Sequence, residues 1–286
     1  MIVALEVDAR EDLRPLSRWL RAHGVPHRVF EASGRLRLAV PDRRWVEPVQ
    51  DAYQAQREGA LPSVAEAPVT AGPSARDRLR AAPATAGVVL LTLLCFPLSW
   101  RLGGAGFPPL LGELLIVPVQ QVDEFIRFTD LRTALAHGEF WRLWTPALLH
   151  FGVLHLLFNL LWLWEFGRRI EAAHGPVRLL QTVIVLAPLA NGAQYLWMDT
   201  PVFGGMSGVV FGLLAYLVVA ARRDPHPALR LHPGLVVALL VFLVAFSTGV
   251  TEAFGLHVAN AAHWGGFVAG LLWARLRVHP PPAAAP

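Results

Sequence analysis

The sequence predicts an all-α polytopic membrane protein, a bundle of six transmembrane helices preceded by a small soluble α/β domain. Hydrophobic residues make up 54% of the 286 positions. The mean hydropathy is positive, which is typical of an integral membrane protein with a soluble appendage. A spanning helix needs about 20 apolar residues. The chain has six apolar segments near that length, of which the fifth is short and is expected to extend into its flanks. These segments are residues 84–100, 148–166, 179–198, 202–221, 235–247 and 259–276.

Residues 1–59 are predicted to form the small cytoplasmic α/β domain. Alternating apolar residues predict three strands, and apolar residues at helical spacing predict two helices. The stretch 60–82 is rich in Pro, Ala, Gly and Ser and therefore predicts a linker. The transmembrane domain is expected to cover residues 83–277, and residues 278–286 form a Pro/Ala-rich cytoplasmic tail. The predicted strands are residues 2–7, 25–30 and 36–40, and the predicted helices contain residues 13–20 and 45–53.

The arginines predict the topology. They cluster before the first segment, between the second and third, between the fourth and fifth, and after the sixth. The positive-inside rule then places both termini in the cytoplasm, and six crossings return the chain to the side on which it starts. A net charge of +4 with this distribution indicates contact with the lipid bilayer and excludes a nucleic-acid patch. The loop 101–145 is expected outside, where its apolar residues 110–116 lie in the interface or pack against the bundle.

Polar side chains inside these segments are functional candidates, because hydrocarbon makes them costly to bury. Ser207 lies at the start of the fourth segment, His155 in the second and His263 in the sixth. Counted from the next cytoplasmic arginine at 1.5 Å per residue, the three lie at heights of about 22, 20 and 18 Å. This common layer is roughly 10 Å below the outer surface of a core about 30 Å thick. The sequence therefore predicts a Ser207 nucleophile with His263 as its general base.

Two glycine pairs predict that these helices approach each other closely. Gly208 and Gly212 on the fourth helix, and Gly266 and Gly270 on the sixth, have the small-xxx-small spacing of tightly packed membrane helices. Close approach is what a serine hydroxyl needs to reach an imidazole at about 2.6–3.2 Å. No carboxylate lies in a span near this layer, which favours a Ser-His dyad over a triad.

Neighbouring residues are predicted to support the dyad. His155 and Asn159 are four apart on one helix face, and both are neutral donors suited to stabilising an oxyanion. The backbone N–H of Ser207 would join them, exposed by the glycines before it. His263 would be oriented by packing, with Phe211 as the expected neighbour. The further supporting candidates are Gly205, Met206, His150, Asn260 and Gly266.

Together, these residues and the motifs that contain them resemble those of the bacterial rhomboid intramembrane serine proteases. The matching motifs are Trp141-Arg142 in the first loop, HFGVLHLLFN at residues 150–159, GMSG at 205–208 and AHWGGFVAG at 262–270. They span the six-helix region except its first helix. Residues 1–59 resemble the small cytoplasmic domain that precedes some bacterial rhomboid cores.

The resemblance implies a serine endopeptidase of the bacterial inner membrane that needs no cofactor and no metal. Ser207 would be the nucleophile and His263 the general base and then acid, with the oxyanion bound as described above. His150, Trp141 and Arg142 would have structural or supporting roles. The substrates would be transmembrane proteins, cut near the outer end of their helix. The fifth helix would form a lateral gate, with Phe242 and Phe246 as candidate gate side chains.

Three alternatives are weighed against the protease. A rhomboid-like pseudoprotease would bind transmembrane helices without cutting them, but it is expected to lack the serine or the histidine. A small-solute transporter would favour buried carboxylates, broken helices or an internal repeat. A zinc protease is disfavoured because the sequence has no HExxH motif. One departure from the family is Pro146, where some bacterial members have a further histidine.

Overall fold

The structure is a computed structural model that describes residues 1–62, 74–100, 109–122, 125–197, 201–249 and 258–278. It divides into two compact units, Met1–Gly72 and Pro73–Pro286. The first is a small α/β fold and the second is helical.

The first unit confirms the predicted α/β region. Its elements are β1 (Ile2–Asp8), α1 (Arg14–Ala22), β2 (Arg28–Ala32), β3 (Arg35–Val40) and α2 (Val46–Arg57). The strands form an antiparallel sheet of order β1-β3-β2. Strands β2 and β3 are joined by a tight turn in which Ser33 and Gly34 have φ values of 54° and 73°. Apolar residues of both helices and the sheet share one core, including the fully buried Leu16, Leu20, Leu38 and Val49.

A short helix, α3 (Ala75–Ala81), lies within the predicted linker. Its N-terminus has a capping box, in which the Ser74 hydroxyl accepts from the Asp77 backbone and the Asp77 carboxylate accepts from the Ser74 backbone. This reciprocal pair satisfies two backbone donors that a helix start otherwise leaves unpaired. The end of the segment predicted as linker is therefore regular structure.

Six long helices follow the six apolar segments. They are α4 (Pro83–Trp100), α7 (Val153–His174), α8 (Pro176–Trp197), α9 (Ser207–Arg223), α10 (Pro233–Ser247) and α11 (Asn260–Arg277). By length and apolar composition alone, two stretches of the described chain qualify as membrane spans, Pro176–Trp197 and Pro227–Ser247. A third qualifies if α3 and α4, which meet at 104°, are one broken span. Two of the other long helices differ from a simple apolar span. Helix α7 carries charged residues near its end, and α9 has 17 residues.

Two helices begin later than the apolar segments that predict them. Helix α7, which follows the second apolar segment, starts at Val153 and not at residue 148. Residues Thr145–Leu148 form a 3₁₀ turn and Gly152 is extended. Helix α9, which follows the fourth apolar segment, starts at Ser207 and not at residue 202. Gly205, just before it, has a φ of 130°, a backbone conformation that favours glycine. This difference puts Ser207 at the first turn of α9.

Helix α7 also continues beyond residue 166, where the second apolar segment ends. Arg168 and Arg169 form ion pairs with Glu165 at the i+3 and i+4 spacings that stabilise helices. One turn further, the buried carboxylate of Glu171 accepts hydrogen bonds from the backbone N–H groups of Ala84 and Thr85, both at 2.8 Å, and from the Thr85 hydroxyl at 2.7 Å. Glu171 thus caps the start of α4 and fastens it to α7.

Helix α9 lies at the centre of the second unit and is buried along most of its length. A Cβ placed on Gly266 would lie 1.9 Å from the carbonyl oxygen of Gly208, and one on Gly270 would lie 2.1 Å from that of Gly212. The two helix backbones therefore touch, as the glycine spacing predicts.

The first loop of this unit packs against the bundle. Its described elements are α5 (Pro109–Leu114), β4 (Val119–Val122), β5 (Phe125–Phe128) and α6 (Leu131–Ala136). Leu111 and Leu115 pack with Leu149, and Ile116 packs with Phe203. Of the two placements expected for residues 110–116, packing on the bundle is the one found.

Candidate active site

Ser207 and His263 are in direct contact. The Nε2 atom of His263 lies 2.8 Å from the Ser207 hydroxyl oxygen, within hydrogen-bond distance. Ser207 is the first residue of α9, and His263 lies in the first turn of α11. The backbone contact at Gly208 and Gly266 holds these two turns together. When Nε2 carries no proton, it accepts from the serine hydroxyl, which is the geometry of a nucleophile and its base.

Aromatic rings hold the His263 imidazole. The ring centroid of Phe211 lies 4.9 Å from that of His263, and the centroid of Phe246 lies 6.4 Å from it. The Nδ1 atom of His263 is buried and has no hydrogen-bond partner among the described residues. Phe211 is the neighbour that the sequence predicts. The contact with Phe246 was not predicted, because it depends on how α10 packs on α11.

Gly205 separates His155 from Ser207. A Cβ at Gly205 would lie 2.8 Å from His155 Nε2 and 3.7 Å from the Ser207 hydroxyl oxygen. The imidazole and the hydroxyl thus border one small space, which a larger residue at position 205 would fill. The backbone N–H of Gly205 donates to the carbonyl of Pro146 at 3.0 Å, which fixes this turn. His155 itself is exposed.

Asn159 lies one turn beyond His155 on α7 and is buried. Its amide Nδ2 donates to the His155 carbonyl at 3.0 Å. An asparagine amide carries two N–H groups, so this hydrogen bond leaves the second one available. Asn159 is therefore placed on the face of α7 that carries His155.

His150 fastens the residue before the serine. Its side chain is fully buried, and its Nε2 accepts the Met206 backbone N–H at 3.3 Å while Nδ1 contacts the Leu148 carbonyl at 3.2 Å. The Ser99 hydroxyl on α4 donates to the His150 carbonyl at 2.7 Å and accepts from its backbone N–H at 3.0 Å. Ser99 was not predicted, although a serine near the end of an apolar segment is a usable signal.

We expect His150→Ala to slow cleavage and to lower stability, because it leaves the Met206 N–H buried without an acceptor. The loss of stability should be about 1–3 kcal/mol, the cost of an unsatisfied buried donor. Thermal unfolding in detergent and kcat for a transmembrane substrate measure the two effects. His150→Gln, whose side-chain oxygen can accept the same N–H, should restore part of both. Unchanged stability and kcat in His150→Ala would show that the contact has no supporting role.

Asn260 and Gln194 hold the start of α11. The Asn260 amide donates to the Phe246 carbonyl at 2.8 Å, so it joins α11 to α10. The Gln194 side-chain oxygen, fully buried on α8, accepts the Ala262 N–H at 2.9 Å. Gln194 was not predicted as a supporting residue, although a polar amide inside an apolar helix is a functional candidate.

Arg142 anchors the first loop. The guanidinium is buried and donates to the carbonyls of Gly112 at 2.7 Å and Leu115 at 3.1 Å. It also forms ion pairs with Glu113 and Glu139, two residues that sequence analysis did not identify. The Trp141 indole donates to the Glu113 carbonyl at 3.1 Å. Both residues of the Trp141-Arg142 motif therefore hold the loop in place.

No group of three or more His, Cys, Asp or Glu side chains within the described ranges could hold a metal ion.

Two family models match this chain. One, described as the rhomboid domain, matches residues 137–280. The other, described as the rhomboid N-terminal domain, matches residues 1–67. The first match contains Ser207, His263 and their neighbours on α7, and the second contains the whole described α/β fold of the first unit.

Proposed function

The chain belongs to the rhomboid family, and from that premise we propose that it is an intramembrane serine endopeptidase. It would cut transmembrane proteins near the outer end of their helix. The observation that carries this proposal is the 2.8 Å contact between Ser207 and His263, made where two helices are in backbone contact.

The chemistry follows from the protonation of the pair. Ser207 Oγ attacks the scissile carbonyl while its proton passes to His263 Nε2. The imidazolium then donates that proton to the leaving amine, and the substrate's acyl group remains on Ser207. Water attacks the ester as His263 again takes a proton, and the acid product and free serine are released. Phe211 and Phe246 would orient the imidazole in the place of a carboxylate.

The oxyanion would be bound beside Gly205. The space bordered by His155 Nε2 and the Ser207 hydroxyl supports this placement, because donors there face a carbonyl under attack by Ser207. The Ser207 backbone N–H and the second N–H of Asn159 would complete the site. Glycine at position 205 keeps that space open.

We further propose six crossings by α4 and α7–α11, with both termini in the cytoplasm of a bacterial cell. Contacts among the arginine-rich helix ends support it. Arg223 at the end of α9 donates to the Arg275 and Val278 carbonyls at the end of α11, at 2.7 and 3.1 Å. Arg169 on α7 donates to the Arg230 carbonyl before α10 at 3.0 Å. These ends thus meet on one side, as six crossings require.

A transporter is less well supported. It would favour a buried carboxylate in its path, and Glu171 is a buried carboxylate. However, the three hydrogen bonds from Ala84 and Thr85 account for Glu171 as a helix cap.

Covalent labelling separates a protease from a pseudoprotease. We expect a fluorophosphonate probe to modify the parent protein at Ser207, because His263 activates that hydroxyl. Labelling should disappear in Ser207→Ala and in His263→Ala, and peptide mapping by mass spectrometry identifies the site. The α/β unit provides an internal control, since Ser17 also contacts a histidine, His27, at 2.8 Å. A parent protein that remains unlabelled, or that is labelled at Ser17 instead, contradicts the proposal.

A further inference from the structure

Arg178 carries a buried donor that has no acceptor. It is the third residue of α8, and its Nη1 atom is enclosed but has no hydrogen-bond partner within the described chain. A buried donor left unpaired is costly, above all when it is charged. This position therefore favours an acceptor that the described chain does not itself provide.

A second arginine lies at the same seam between α8 and α11. The Arg277 guanidinium lies over the Trp273 ring, 5.1 Å from its centroid. The Trp273 indole donates to the Thr182 hydroxyl at 3.0 Å, and that hydroxyl donates to the Arg178 carbonyl at 2.7 Å. Arg178 lies one turn before Thr182, on the same face of α8. These contacts place Arg178 and Arg277 on the two sides of one seam.

The charge at this seam is mainly positive. The charges of Arg178 and Arg277 both act on the hydroxyl of Tyr216, a fully buried residue of α9, as does the opposite charge of Asp224. The Asp224 carboxylate already has a partner, since the Nε2 atom of His174 lies 3.1 Å from it. Two guanidinium groups thus surround one engaged carboxylate, and an anion from outside would be attracted to them.

Exposed apolar side chains begin next to both arginines. On α8 they are Val177, Leu180 and Ile184, at the spacing of one helix face, and on α11 they are Leu272 and Leu276. An anionic group with hydrocarbon chains attached would meet cations at one end and apolar side chains along its length. Inorganic phosphate would use the arginines alone. The arrangement therefore fits an anionic lipid better than a free ion.

We propose that Arg178 and Arg277 form a binding site for the phosphate of an anionic phospholipid at the seam between α8 and α11. A guanidinium binds phosphate oxygens through parallel N–H groups, and basic pockets between transmembrane helices bind anionic headgroups. Arg277 ends α11, whereas His263 lies in its first turn, so the site is separate from the dyad. The inference uses the proposed crossing of the bilayer and does not depend on proteolysis.

The test is thermal unfolding in a neutral detergent during titration with phosphatidylglycerol. We expect the unfolding midpoint of the parent protein to rise, because a ligand that binds only the folded state stabilises it. Arg178→Met and Arg277→Met should each need at least about fivefold more lipid for the same rise, the effect of one cation near an anionic lipid. Without lipid, Arg178→Met should be no less stable than the parent, since it loses an unpaired donor. A purely structural role for Arg178 predicts the opposite.

Arg222→Met is the matched control. Arg222 is exposed near the end of α9, among the arginine-rich helix ends, so its loss reports general attraction to anionic lipid. It should respond to phosphatidylglycerol like the parent. Phosphatidylcholine should act equally on the parent and on Arg178→Met, and inorganic phosphate should not raise the midpoint.

The lipid site is overturned if Arg178→Met responds to phosphatidylglycerol like the parent, or if Arg222→Met loses as much of the response. It is overturned as well if inorganic phosphate stabilises the parent as strongly as the lipid, since the ligand would then be a free anion. Ser207→Ala should respond like the parent. A protein that binds the lipid but cleaves no substrate overturns the protease function and leaves the lipid site in place.

Discussion

Ser207→Ala is expected to reduce cleavage of a transmembrane substrate to background, a loss of at least about a thousandfold. The variant lacks the atom that forms the acyl-enzyme, and nothing else near His263 Nε2 among the described contacts can replace it. Stability should change little, because the hydrogen bond lost is worth about 1 kcal/mol. Cleavage in proteoliposomes and thermal unfolding in detergent measure the two quantities on the same preparation.

The two members of the dyad should act as a unit. His263→Ala is expected to lose nearly as much activity as Ser207→Ala, and the double variant should be no slower than either, because residues of one catalytic unit are not additive. Ser17→Ala is the matched control, since it removes a serine that also contacts a histidine but lies in the α/β unit. It should cleave like the parent. Ser207→Ala cleaving at the parent rate would refute the assignment.

Gly266→Ala is expected to destabilise the protein and to remove most of its activity. The added methyl carbon would lie 1.9 Å from the Gly208 carbonyl oxygen, and a backbone atom cannot turn aside. Overpacking of this kind costs about 3 kcal/mol. If α11 moves away to relieve it, His263 leaves Ser207, and a displacement of about 1 Å can reduce catalysis about a hundredfold. Thermal unfolding and kcat/KM test both effects.

Gly192→Ala on α8 is the control for Gly266→Ala. A Cβ at Gly192 would meet nothing within 4 Å. Replacing a helical glycine by alanine then stabilises by roughly 0.5–1 kcal/mol, and cleavage should not change. Equal stability of the two variants would mean that the α9–α11 contact is looser than described.

Much of the fold could be predicted from the sequence, because a lipid bilayer limits the structures that a chain can adopt. The six long helices coincide with the apolar segments that predict them, because a long apolar run favours a helix, in which the backbone groups satisfy one another. The glycine spacing likewise predicts the contact between α9 and α11, because only small residues let two backbones touch. Helix starts were less predictable. The apolar run continues through residues 202–206, but Gly205 has a φ of 130° that delays α9 until Ser207.

Hydrogen-bond partners distant in the sequence were the least predictable feature. Asn260 was predicted as a supporting residue, but its hydrogen-bond partner, the Phe246 carbonyl across the α10–α11 contact, was not predicted. Arg142 was identified as a loop anchor, but its carbonyl acceptors lie about thirty positions earlier, at Gly112 and Leu115. Glu171 and Gln194 were not singled out, because their role depends on which helix start lies beside each of them.

The sequence by itself determined the family and the long helices, and it predicts a common depth for Ser207, His155 and His263. Hydropathy, charge and a rise of about 1.5 Å per residue are local properties that need no knowledge of neighbours. Only the tertiary structure decided the individual partners and distances: the Met206 N–H for His150, the Ala262 N–H for Gln194, and the 2.8 Å separation of Ser207 from His263. A hydrogen bond depends on direction and on separations within a few tenths of an ångström. Those quantities arise only when the helices are packed together.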